Sequence, residues 1–95
     1  MYRIVFGNHK VGCQGMFFFE TQEEGHEFGE DERRYLRLLR REKRRPSKRN
    51  TVELEYIFKK WSQDRMLANF LKRLEELVDE EMVNPSCWEE NGEFF

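Results

Sequence analysis

Between Leu39 and Val52 the chain carries no apolar residue other than Pro46. Any core must therefore be assembled from the two flanks of that gap. The gap coincides with the densest charge in the sequence, since ten of the seventeen residues from Arg33 to Arg49 are Arg or Lys. The balancing acid lies on either side of it. Segments 1–19 and 50–74 each carry +2, while 20–32 carries −7, 33–49 carries +9 and 75–95 carries −8, in a chain whose net charge is only −2. Such blocks keep a local field even when the total cancels, so they bear on electrostatic partners.

Ninety-five residues suffice for one domain and are too few for two. With 38% hydrophobic residues the core is small, and fourteen aromatics, nine of them Phe, supply most of its area. Ordering each backbone residue costs roughly 1–2 kcal/mol, so a chain this polar has little margin. A homodimer sharing apolar surface would relieve the shortage. Cys13 and Cys87 are too few for a disulfide framework, no apolar leader precedes residue 10, and Met16 to Phe19 is too short to cross a bilayer. These features point to a cytoplasmic location, with nuclear import an option for KRRPSKR in a eukaryote.

The first twenty residues read as strand. Tyr2, Ile4 and Phe6 alternate with Arg3 and Val5, the period of a half-buried strand. Gly7-Asn8 is a turn signal, His9 to Cys13 a second strand, and Met16 to Phe19 a third that is apolar on both faces and so expected to be central or covered. Alternatively, 11–19 is one strand with a glycine bulge. Thr21 with Glu24 fits a capping box, but Gly25 and Gly29 argue for a loop over 21–29. A helix is expected over about 30–45, acidic at its start, basic at its end and stopped by Pro46. Asn50 or Thr51 caps a segment over 52–61 that is apolar on most sides. Ser62-Gln63-Asp64 offers a break and a new cap for a last helix whose residues from Met66 to Met82 recur at i, i+3, i+4, i+7, with Asn84-Pro85 ending it. The expected fold is α+β: a small N-terminal antiparallel sheet of two or three strands packed by two or three helices. It forms one domain over 1–85, followed by an acidic, aromatic tail over 86–95.

Arg33, Arg37, Arg40, Arg41 and Arg44 fall three or four apart and share a helix face, which Arg34 and Arg45 widen and Lys48 and Arg49 extend. Guanidinium groups suit phosphate because they donate in a fixed fork and are weakly hydrated. The expected function is non-enzymatic binding of nucleic acid, RNA or DNA, through this face with weak sequence selectivity. The ordinary alternative is a solvated face matched by acids of the same chain. A competing expectation is a protein-binding antagonist or adaptor of the small viral or phage type. There the charge blocks, and Trp88, Phe94 and Phe95 in the tail, dock on a partner protein.

Signals for other chemistry are weak. His9, Cys13, His26 and Cys87 lack the close doublets of structural zinc sites, so no metal or cofactor is expected. No nucleophile motif or phosphate-binding glycine loop occurs. Glu53 and Glu55 with Lys59 or Lys60 suit a Mg²⁺-dependent nuclease only as well as chance clusters do in so charged a chain. Tyr2, Phe17, Phe18 and Phe19 on a sheet would either stack bases or form core, and core is the ordinary outcome.

Overall fold

The computed structural model describes residues 1–8, 13–80 and 89–94. The alternation of Tyr2, Ile4 and Phe6 builds β1, Tyr2–Asn8, whose three large side chains are all buried on one face. β2, Cys13–Phe19, runs antiparallel to it in a register that pairs Tyr2 with Phe19 and Asn8 with Cys13. Asn8 is therefore paired strand, not the turn expected at Gly7-Asn8, and Gln14 and Gly15 lie within one continuous β2. Gly15 serves proximity: a Cβ there would stand 2.7 Å from the Phe70 ring.

Met16 to Phe19 do not form a central strand. β2 is an edge, the order is β2-β1-β3, and the second neighbour of β1 is β3, Glu89–Phe94, antiparallel and drawn from the segment expected to be a tail. Among the described residues only one face of this sheet is covered. Phe17 and Phe19 enter the core, while Met16 and Phe18 are 49% and 54% exposed on the other face. Arg3 on that same face pairs with Glu93 across the β1–β3 ladder.

α1, Gln22–Arg44, begins eight residues earlier than its apolar stripe suggests. Thr21 caps it by accepting from the Glu24 amide at 3.2 Å. The glycines that argue against helix are buried where α1 crosses the sheet. A Cβ at Gly25 would lie 2.5 Å from the Tyr2 ring and 3.1 Å from Ile4, so glycine is what lets this helix approach so closely. Phe28, one turn on, meets the rings of Phe6 at 5.5 Å, Phe17 at 6.0 Å and Phe19 at 5.6 Å. The same ring meets Trp61 at 5.0 Å and Phe70 at 6.4 Å.

α2, Lys48–Trp61, starts at neither Asn50 nor Thr51. Ser47 is its cap, accepting from the Asn50 amide at 3.1 Å, and buried Asn50 spends its own side chain donating to the Arg45 carbonyl. Glu42 ties the corner by accepting from the Ser47 amide at 3.1 Å and the Thr51 hydroxyl at 3.4 Å. α3, Arg65–Asp79, follows the expected break, and the last residue of that break, Asp64, is its cap, accepting from the Met66 and Leu67 amides. Its expected continuation to Met82 and the stop at Asn84-Pro85 lie outside the described residues. Leu67, Phe70, Leu71, Leu74, Leu77 and Val78 are all buried. Among the described residues the result is α+β, one three-stranded antiparallel sheet with three helices.

Gly25→Ala drives a methyl group into Tyr2 and is expected to lower stability by about 1–3 kcal/mol. Urea denaturation of the variant beside the native chain measures this, and an unchanged midpoint would mean that α1 does not need its close approach.

Candidate nucleic-acid interface

The core face of α1 is set by Phe28, Tyr35, Leu36 and Leu39, all buried. Successive helical residues are turned by about 100°, which places Arg34, Arg37, Arg41 and Arg44 opposite that face, with Arg33 and Arg40 toward one side of them. All six are exposed except Arg40, which is half-buried. Arg45 is the C-cap of α1, and Lys48 and Arg49 occupy the first turn of α2. Two cations there oppose the helix dipole, and no acid occupies that turn to offset them.

Arg34, Arg37 and Arg41 of α1 converge with Arg49 of α2 on a groove of about 530 Å³, whose other walls are Leu38, Asn50 and Glu53. Glu53 is the groove's one carboxylate. It lies 3.2 Å from the Arg34 guanidinium and 3.9 Å from that of Arg49. Exposed pairs of this kind contribute only about 0–1 kcal/mol, so their worth is in holding the two arginines at the groove.

The remaining basic residues divide by use. Lys43 donates to the Val78 and Asp79 carbonyls at 3.2 and 3.1 Å, so it closes the C-terminal end of α3. Arg37, Arg40, Arg41, Arg44, Arg45 and Lys48 have no carboxylate partner among the described residues.

The acidic block over 20–32 does not fold back on them. Glu27 and Asp31 take Lys60 of α2 at 2.5 and 2.9 Å, and Asp31 also accepts from the Trp61 indole at 2.9 Å. The hydrogen bonds that the Lys60 ammonium donates to Glu27 and then to Asp31 hold it above its usual range. Glu32 is fully buried on the core face of α1, a position that its charge conceals in the sequence.

Other candidates separate. His26 sits on α1, its Nε2 3.2 Å from the Tyr2 hydroxyl, while Cys13 lies on β2 and His9 and Cys87 lie outside the described residues. Among the described residues no three His, Cys, Asp or Glu side chains gather as metal ligands. Glu53 faces arginines, not the Mg²⁺ arrangement with Glu55. Phe94 is the β3 residue opposite Tyr2, and Trp88 and Phe95 lie outside the described residues. Tyr2, Phe17 and Phe19 are core, which leaves only Phe18 of that group exposed. Among the described residues no helix is long and apolar enough to cross a membrane. Compared with family models, curated proteins and solved structures, the chain has no match in any of the three.

On the side of α1 away from the arginines, Tyr35 helps line an apolar cleft of about 670 Å³ with Leu39, Leu54 and Phe58. Burial, aided by the charge of Glu75, pushes its hydroxyl from 10.0 up to about 12. Below pH 10 the phenol is neutral in folded and unfolded chains alike. Between 10 and 12 only the unfolded chain loses the proton, so stability falls as pH rises through that window. Absorbance titration is expected to show one late-ionising tyrosine that Tyr35→Phe removes. A late phase surviving in that variant would refute the assignment.

Proposed function

We propose that this protein binds nucleic acid without catalysing a reaction, through the arginine face shared by α1 and the first turn of α2. The observation that carries the reading is the groove where Arg34, Arg37, Arg41 and Arg49 meet across two helices against one carboxylate. Guanidinium forks match phosphate oxygens two at a time, and the counterions they release favour association. Asn50, the one amide among the groove's lining residues, donates to a backbone carbonyl, which leaves the guanidinium groups as the groove's donors toward a ligand. Recognition there is of the backbone, and sequence preference is weak. An intracellular setting, where nucleic acid is present, accords with this reading.

A second reading has its own observation. The uncovered sheet face exposes Met16 and Phe18 side by side on β2, which suits a protein-binding adaptor. A pull-down with and without nuclease digestion separates the two, because partners that survive digestion belong to the adaptor.

The test of the first reading is fluorescence polarisation of a labelled oligonucleotide at rising salt. Affinity is expected to fall steeply, and Arg37→Glu/Arg41→Glu to weaken it at least tenfold at low salt. The slope of log affinity on log salt should shrink by roughly 1.5, since each phosphate that an arginine neutralises accounts for ~0.7–0.9 of that slope. Glu53→Gln should act in the opposite direction and tighten binding. Equal affinity and slope for native chain and double variant would overturn the reading.

A further inference from the structure

The outward face of α2 holds an aromatic that the core does not use. Tyr56 is 69% exposed, and Val52, four residues before it, is 63% exposed. No ring or hydrogen-bond partner engages Tyr56 among the described residues. A lone exposed tyrosine is ordinary. Its position here is informative. Arg49 lies seven residues before it, hence on the same face about 10 Å along the helix. Two cross-helix contacts bracket it along the seam between α1 and α2: Arg34 with Glu53 on one side, and Lys60 with Asp31 on the other. Tyr56 thus stands beside the basic groove, at the level where α1 turns from acidic to basic.

We propose that Tyr56 stacks on an unpaired base, so that the arginine groove takes single-stranded nucleic acid in preference to duplex. The inference rests on the nucleic-acid reading above and adds the class of ligand. Aromatic rings hold single strands because every base offers a π-face, whereas a duplex keeps those faces stacked on one another. The charge pattern points the same way. The basic stretch of α1, Arg33 to Arg44, is only about 17 Å long. Glu27 and Glu30 continue its exposed side toward the N-terminus. A rigid duplex following α1 would run onto these acids, while a flexible strand can leave the groove at Tyr56 after a few nucleotides.

The experiment compares single-stranded DNA, single-stranded RNA, a duplex of the same sequence and poly-glutamate by fluorescence polarisation at one low salt concentration. Either single strand should bind at least tenfold tighter than the duplex. Tyr56→Ala should weaken single-strand binding roughly 5- to 150-fold, the range for one stacked base, while leaving its salt slope unchanged because the substitution removes no charge. Tyr56→Phe should retain binding. The residue is exposed, so circular dichroism and thermal melting of both variants should match the native chain. Native single-strand affinity in Tyr56→Ala, or equal binding of duplex and single strand, overturns the stacking proposal. The nucleic-acid reading survives that result if Arg37→Glu/Arg41→Glu still weakens binding. Poly-glutamate bound as tightly as any oligonucleotide, or no oligonucleotide bound at all, removes both.

Discussion

The Phe28 side chain is where the layers of this small fold meet. Its ring touches Phe6, Phe17 and Phe19 from the sheet, Trp61 from α2 and Phe70 from α3, and none of its surface reaches solvent. Aromatic pairs at these separations add about 0.5–1.5 kcal/mol each beyond the area they bury, a sizeable contribution in a chain with so few apolar residues. The cluster forms only because α1 can lie close to β1, and it lies close because Gly25 presents no side chain to Tyr2. A glycine that weakens the isolated helix therefore strengthens the assembled domain. Local propensity is a weak prior when tertiary contact is this tight.

The same placement explains the exposed charge. The N-terminal half of α1 lies over the sheet, and its buried residues thereafter, Tyr35, Leu36, Leu38 and Leu39, belong to the packing among the helices. After Leu39 α1 has no apolar residue to bury, so its end is set by polar ties: Glu42 to Ser47 and Thr51, Asn50 to Arg45, and Lys43 to the carbonyls closing α3. These fix the angle at which α2 returns along α1. With α2 antiparallel, its C-terminal Lys60 falls beside the acids Glu27 and Asp31, and its N-terminal Arg49 falls beside the arginines. Like charges are brought together at one end and opposite charges at the other. Glu53 offsets part of the first arrangement, and an anion bound at the groove would offset more.

Much of the fold is legible in the residues. The alternation in Tyr2, Ile4 and Phe6 identifies a half-buried strand, and the spacing from Leu67 to Val78 identifies the α3 face, because both patterns are local and repeat with the period of the element. Three features are not. β3 is polar and short, EENGEF, and becomes a strand only because β1 has an open edge to pair with. The 21–29 stretch reads as loop as long as its glycines are weighed against an isolated helix. The α2 start is displaced because Ser47, just after Pro46, is an equally good cap, and the amide it serves belongs to Asn50. In the candidate site, spacing alone shows that the arginines share a face. It does not separate Lys43, which serves α3, from Arg34 and Arg49, which meet Glu53.

The sequence by itself determined that the chain is amphipathic in blocks, with a cationic stretch that no apolar residue can draw inward, since hydrophobic period and charge are properties of neighbouring residues. Only the tertiary structure decided which acids reach which bases, that Glu32 is buried, and that Tyr56 stands exposed beside a groove of arginines. Those outcomes depend on the angle and direction in which α2 packs against α1. Side-chain ties across the corner between α1 and α2, and Lys43 on the end of α3, set that angle, and no hydrophobic or charge period encodes it.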